Sequence, residues 1–295
     1  MAAPAPAQLA DLRARYARRR VGGRIALWSL VAFFAFFAAF PFAWSLITAF
    51  KRDPDLYDPR NNPFLFNPSP TGDHFRYLFR NTAFPGFVDN TITVGVVVVA
   101  ITLAASLPAA YSLARLRLRY GGALAIGIFF VYLIPPSLLF VSLSRVVSAL
   151  HLQDSKWALV ALYPTITIPV SIWLLTGFFK SIPRDVEEQA MIDGYSRFGA
   201  FVRTVVPLSV PAIIAVIVFA GTLAASEFIY ALAFVSVTSE KTISVGVPTE
   251  LVRGDIFFWQ ALQAATLLVA VPMAFVFNLF LRRFITGFTR GAVKG

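Results

Sequence analysis

Cysteine is absent from this chain of 295 residues, and histidine occurs only twice, as His74 and His151. Without thiols there can be no disulfide, thiolate metal site or cysteine nucleophile. Two lone histidines make neither a His-Glu-x-x-His metal motif nor a His-paired nucleophile, and no Gly-x-x-x-x-Gly-Lys-Ser/Thr stretch is present to bind ATP. No residue therefore stands out as catalytic or metal-ligating, and an enzyme is not expected. Charge is scarce as well, at 14% of residues, and the acidic share is small: Asp and Glu total 15 against 26 Lys and Arg.

What fills the chain instead is apolar. Hydrophobic residues make up 58%, and the mean hydropathy is +0.71, values that belong to membrane proteins. Uncharged runs cover Ile25–Phe50, Asn90–Ala114, Tyr120–Ser144, Trp157–Phe179 and Ile256–Leu281, and a sixth, Thr204–Ser239, is broken only by Glu227. Each exceeds the roughly 20 residues that cross a hydrocarbon core. Lipid cannot satisfy backbone polar groups, so each run is expected to be helical. The fold class is an all-α membrane protein with six transmembrane helices. The first run is too long for a signal-peptide core and has no clear small-residue cleavage site after it, so it reads as a retained span.

The formal charge of +11 would suggest nucleic acid in a soluble protein, but its distribution suggests topology. Arg13, Arg15, Arg18, Arg19, Arg20 and Arg24 precede the first span, and Arg115, Arg117 and Arg119 follow the second. Lys180, Arg184, Arg197 and Arg203 lie around the fourth loop, and Arg282, Arg283, Arg290 and Lys294 follow the last span. All fall on one side of a six-span protein, so both termini are expected in the cytoplasm. Lipid is the partner this charge implies, and no nucleic acid is expected.

Residues 1–23 read as a disordered basic arm, 24–50 as the first span and 51–86 as an external loop. Residues 87–281 read as one compact five-span unit, with a cytoplasmic loop at 181–206, and 282–295 as a cytoplasmic tail. Pro54, Pro59, Pro63, Pro68, Pro70 and Pro85 favour an irregular external loop over a helix, either a linker or a surface for an outside partner. Pro108, Pro135, Pro136, Pro164, Pro169, Pro211 and Pro272 are expected to kink the spans. Such kinks suit either a moving pathway or ordinary packing.

Between the fourth and fifth spans lies a polar segment, Val186-Glu187-Glu188-Gln189-Ala190-Met191-Ile192-Asp193-Gly194, continuing to Pro207. Pro183 with Asp185, Glu187 and Glu188 makes a favourable helix start. Apolar residues at Val186, Ala190, Met191, Tyr195, Phe198 and Val202 mark one face. Arg184/Glu188 and Asp193/Arg197 form opposite-charge pairs four apart. Gly194 would cost about 1 kcal/mol inside a helix, so it is expected to end one short helix, with Ser196 capping a second.

Glu188-Gln189-Ala190, Asp193-Gly194 and Pro207 resemble the "EAA" loop of ABC importer permeases. Asn90-Thr91 to Ala109-Ala110-Tyr111-Ser112-Leu113-Ala114-Arg115 is similar to the second span of the maltose-type sugar permeases, and Ile172-Trp173-Leu174-Leu175, Phe178-Phe179 and Ile182-Pro183 to the lead-in of their loop. The ending Gly287-Phe288-Thr289-Arg290-Gly291-Ala292-Val293-Lys294-Gly295 resembles their terminus. The resemblance covers about Phe87 to Gly295. It departs at Gln189, where alanine is usual, and at Ala225-Ser226-Glu227-Phe228, where Trp-Asn-Glu-Phe is common; these departures leave the sugar undefined.

The resemblance implies a type I importer permease fold in a bacterial or archaeal plasma membrane, forming half of a pathway for a sugar or related compound. It also implies a second permease chain (a heterodimer), two ABC ATPase subunits carrying ATP and Mg, and an external substrate-binding protein. No cofactor is implied in this chain. Glu187, Glu188, Ala190, Asp193 and Gly194 become the expected ATPase-coupling residues. Thr222, Ser226, Glu227 and Tyr230 become candidates for the substrate pathway. Glu227 is the one acidic residue in a span, and burial at bilayer depth costs at least ~2–3 kcal/mol. It either accepts substrate hydroxyls, bonds a neighbouring helix or lies near the outer interface. The competing reading is an ion-coupled secondary transporter that titrates Glu227, which would give the 188–194 loop no role.

Overall fold

The computed structural model describes residues 6–116 and 118–292, with side chains described at 22–116, 118–135 and 137–280. The charges at Arg13, Arg15, Arg18, Arg19, Arg20, Arg117, Arg282, Arg283, Arg290 and Lys294 lie outside those described side chains, as do the last residues of the terminal motif. The fold is mostly helical, and it divides into two compact units, residues 1–72 and 73–295.

The first unit opens with α1 (Pro6–Phe50), a single helix of 45 residues. The segment expected to be a disordered arm is therefore helical from Pro6. Its Ala, Leu, Gln and Arg are strong helix formers, and no proline follows until Pro41. After it, α2 (Asp53–Tyr57) carries proline in its first turn with Asp53 and Asp55. That arrangement suits the positive end of a helix dipole. Lys51 and Asp55 are buried and form an ion pair at 3.3 Å. Asn67 clasps Asp55 with its side-chain amide at 2.6 Å and its backbone N–H at 3.3 Å, while Lys51 donates to the carbonyl of Asn62 at 3.0 Å. The loop expected here to be irregular is thus tied to a buried charge.

In the second unit, α3 (Asp73–Asn81) is a further helix in the expected loop, and α4 (Phe84–Arg115) follows. Next come α5 (Gly121–Tyr132), α6 (Pro136–Ala149), α7 (Lys156–Leu162) and α8 (Pro164–Ser181). Then α9 (Asp185–Ile192), α10 (Arg197–Ala200), a π-helical turn (Phe201–Val205) and α11 (Val206–Leu208) lead into α12 (Val210–Ser226). The chain continues with α13 (Ile229–Phe234), a 3₁₀ turn (Thr238–Glu240) and α14 (Ile243–Leu251), and a two-stranded hairpin, β1 (Val252–Arg253) and β2 (Ile256–Phe257), leads to α15 (Trp259–Ala292).

Four helical stretches, 22–50, 84–115, 156–181 and 259–280, are each long and apolar enough to cross a membrane among the described residues. Two bent pairs raise that number to as many as six: α5 with α6, at 96°, and the stretch Arg197–Leu208 with α12, at 75°. The first bend falls at Pro135–Pro136 and the second just before Pro211, where proline removes a helical hydrogen bond and crowds the preceding turn. Pro108, Pro169 and Pro272 sit inside helices that run on through them, so only some of the prolines break a span.

The core of this unit is built around α4, α8 and α12. One cluster (Val94, Val98, Leu159, Tyr163, Tyr230, Phe234) occupies one end. Another (Tyr111, Leu175, Phe179, Phe201, Val216) occupies the other. Between them the buried hydroxyls of Thr102 and Thr167 pair at 2.6 Å across α4 and α8. In lipid such a bond adds about 0.6 kcal/mol. The 32 residues of α4 extend about 48 Å, so the two ends of this helix are far apart. At its beginning, the Asn90 amide donates to the carbonyls of Ser239 and Lys241 at 2.7 and 3.0 Å and accepts from Lys156 Nζ at 2.9 Å. At its other end stands the loop of interest.

Candidate functional site

Helix α9 begins with three acids, Asp185, Glu187 and Glu188, in its first turn, where the macrodipole favours negative charge. It ends in a Schellman motif. Gly194 has φ +94° and its N–H donates to the carbonyl of Met191 at 3.1 Å, while the N–H of Tyr195 reaches back to Ala190 at 3.1 Å. Both satisfy carbonyls left over at the helix end, and the positive φ calls for glycine. Ser196 then accepts the N–H of Gly199 at 3.1 Å and caps α10. The short-helix, glycine-turn, capped-helix arrangement expected from the residues is present.

The two faces of α9 differ from expectation. Glu187 and Ala190 are buried. Both oxygens of the Glu187 carboxylate are engaged by α4: Tyr111 donates its hydroxyl to one, and Arg115 Nε lies 3.2 Å from the other, off the hydrogen-bond line. The same guanidinium donates from another nitrogen to the carbonyl of Ile182 at 2.8 Å. Glu187, expected to meet an ATPase, therefore faces its own membrane domain. Neither Arg184/Glu188 nor Asp193/Arg197 closes to an ion pair among the described residues. Glu188, Asp193 and Gly194 are exposed, and two large apolar side chains stand bare among the polar ones: Ile192 is 84% and Phe198 72% exposed.

Behind that surface, aromatic rings join the loop to the spans. Phe201 contacts Phe198 at 6.2 Å, Tyr111 at 4.4 Å and Phe179 at 6.3 Å between centroids. Phe201 opens the π-helical turn, a wide turn that often marks functional positions, and the Arg203 guanidinium lies over the Tyr195 ring at 4.6 Å. Tyr111, Arg115 and Phe201 lie outside the site residues expected from the sequence. The signal for the first two was their spacing of four, which stacks them on one face of α4.

At the expected substrate pathway, Glu227 ends α12 and interrupts the expected single run 204–239. Its half-buried carboxylate accepts the N–H groups of Tyr230 at 3.0 and 3.1 Å and of Ala231 at 3.2 Å. It thus caps the start of α13, and its carbonyl accepts the Ser244 hydroxyl at 2.7 Å. The buried ring of Tyr163 lies beside the same carboxylate. Thr222 and Ser226 are exposed, and the Ser226 hydroxyl is turned back onto the carbonyl of Thr222 at 2.8 Å. Tyr230 is fully buried in the apolar cluster with Tyr163 and Phe234. Glu227 and Tyr230 are thus brought together as a cap, with Ser226 just before Glu227 and Thr222 a little over one turn earlier, both exposed. Among the described residues no group of three His, Asp or Glu side chains is placed to hold a metal ion.

Residues 106–290 match the family described as "Binding-protein-dependent transport system inner membrane component". The chain belongs to that family. The transport component is 35% identical to the sulfoquinovosyl glycerol transport system permease protein SmoH of Agrobacterium fabrum over 258 residues, 87% of this chain and 89% of that one. It is 31% identical to the trehalose/maltose transport system permease protein MalG of Thermococcus litoralis over 282 residues, 94% and 99% of the two chains. In fold it is similar to a solved bacterial ABC transporter involved in import of the acidic polysaccharide alginate, with a TM-score of 0.77, 18% identity and coverage of 90% of this chain and 97% of that one. The resemblance read from the EAA-type loop is borne out, and the matched span contains the whole α9–α10 loop.

Proposed function

We propose that this chain is the permease half of an ATP-driven importer, forming part of a pathway for a sugar or related oligosaccharide delivered by an external binding protein. The observation that carries this reading is the two-faced α9–α10 loop: inward contacts hold it to α4, while Ile192 and Phe198 remain exposed. An exposed apolar pair at the end of α9 and in α10, on either side of a capped glycine turn, is an anchor for a partner's cleft. The partner is an ATPase subunit, two per transporter, that binds the ATP and Mg. Glu188, Asp193 and Gly194 rim the contact, whereas Glu187 and Ala190 support it from behind.

A second permease chain completes the pathway, and the protein resides in a bacterial or archaeal plasma membrane with the loop and both termini cytoplasmic. The named relatives, which transport a sulfoquinovosyl glycerol and trehalose or maltose, support a carbohydrate substrate. Thr222 and Ser226 offer hydroxyls on an exposed face. Glu227 contributes to this path by holding the α12–α13 break, since its carboxylate is already occupied by amides. The test is purification of the tagged chain in gentle detergent. The expected complex contains a P-loop ATPase and a second permease, and the double substitution Ile192→Asp, Phe198→Asp removes the ATPase while retaining the second permease. Recovery of the chain alone, with uptake that ignores ATP, would refute the reading.

A further inference from the structure

The Glu187 carboxylate is an unusual thing to bury. Its side chain and that of Arg115 are 9% and 6% exposed, and a buried ion pair is often no more stabilising than apolar residues of the same volume. What the pair provides is geometry. Tyr111 and Arg115 stand one turn apart on α4 and take one carboxylate oxygen each. Arg115 also holds the carbonyl of Ile182, the residue at which α8 ends. The last turn of α4 therefore grips both the end of α8 and the first turn of α9. On α9 itself, Ala190 and Ile192 lie roughly 200° apart around the axis at about 100° per residue, so an inward Glu187 and Ala190 turn Ile192 outward.

Backbone alone would not transmit motion this way. Between α8 and α9 the chain passes outside both helices through Ile182, whose backbone is extended, and Pro183, before Arg184 re-enters the helical region at the start of α9, a joint at which α9 could swing. We infer that Glu187 is a positioning residue, and that the Tyr111–Arg115–Glu187 latch, rather than this covalent joint, makes α9 and the end of α4 move as one body. This inference rests on the functional reading above. Displacement of the docking face then passes directly into α4, which packs along α8 and α12, and so into the spans. Removing the charge at Glu187 uncouples the two helices without removing the exposed surface that binds the partner.

The absence of cysteine makes this directly measurable. Spin labels on Asp185→Cys in α9 and Ser112→Cys in α4 report the distance between the two helices by pulsed electron resonance. The protein used is the purified transporter, without nucleotide and after trapping with ATP and vanadate. With Glu187 present, the distance is expected to be the same in both states. With Glu187→Gln, which keeps the shape of the side chain, the ATPase still co-purifies, and the distance shifts and broadens in the trapped state. Tyr111→Phe, which removes one hydroxyl, gives a smaller change in the same direction. The latch is overturned if the distance changes between states with Glu187 in place, or if Glu187→Gln leaves it unchanged in both. Loss of the ATPase from the Glu187→Gln complex also overturns it, because the pair would then serve the docking face rather than transmission. Absence of an ATPase from the complex of the unsubstituted chain would instead sink the functional reading, and the latch with it.

Discussion

Replacing Gly194 tests whether the loop works because it is rigid. Its φ of +94° lies where a side chain is strained, and a Cβ added there meets no atom within 4 Å. The cost of Gly194→Ala is therefore a backbone cost alone, about 1–2 kcal/mol. That corresponds to an opening equilibrium of the turn raised by about 5–30-fold. Proline goes further. Its ring fixes φ near −65°, and it lacks the N–H that Gly194 gives to Met191, so the turn cannot form. Helices of 8 and 4 residues do not persist without such caps, and the outward placement of Ile192 is lost with them. Amide exchange at Tyr195 and Gly199 in the purified complex is the assay, together with recovery of the ATPase. The expected order of exchange is glycine, then alanine, then proline, with ATPase recovery falling in the same order. Asparagine lies between glycine and alanine because it tolerates positive φ. Exchange of the alanine variant at the wild-type rate, with full ATPase recovery by the proline variant, would refute the reasoning.

Other sites give further expectations. At Gly246 an added Cβ would fall 2.5–2.7 Å from the Phe87 ring, so Gly246→Ala is expected to cost about 1–3 kcal/mol by overpacking; thermal unfolding in detergent measures it, and Phe87→Leu restores part of the loss. Glu227→Ala leaves the amides of Tyr230 and Ala231 without their acceptor and is expected to cost about 1–3 kcal/mol, while Glu227→Gln keeps a carbonyl for them and costs less; equal melting temperatures for the two variants would remove the capping role. In the first unit, Lys51→Met strands a buried carboxylate and is expected to cost about 3–5 kcal/mol, read as faster proteolysis within residues 58–66. Burial acts to raise the pKa of Asp55, but hydrogen bonds from Asn67 and Lys51 outweigh it and hold the carboxyl below its ordinary value. A lowered folded pKa contributes stability that is complete above the unfolded value and lost as pH falls through the folded one. Peptic cleavage of the same stretch should therefore stay slow down to about pH 4 and accelerate below it.

Much of the site is legible in the residues alone because its signals are local. Gly194 and Ser196 act through backbone groups within five residues, so the turn and the cap could be placed from residue type and spacing. The EAA-type resemblance likewise lies in one short stretch. Glu187 differs from expectation for the opposite reason. Nothing near it in sequence says that it faces inward, because its partners Tyr111 and Arg115 are 76 and 72 residues earlier. Glu227 was read as an acid within a span, when its own backbone turns there and its carboxylate caps the next helix.

The sequence by itself determined a membrane protein, its apolar runs, its family and the existence of a capped loop with a glycine turn. Apolar length, proline and capping chemistry act over a few residues and need no tertiary partner. Tertiary structure decided which prolines bend a span, which face of α9 is buried and which acids are engaged. Those outcomes depend on the packing of α4 against α8, α12 and the loop. A carboxylate can be buried only where distant donors already stand, and the fold alone brings them to that place.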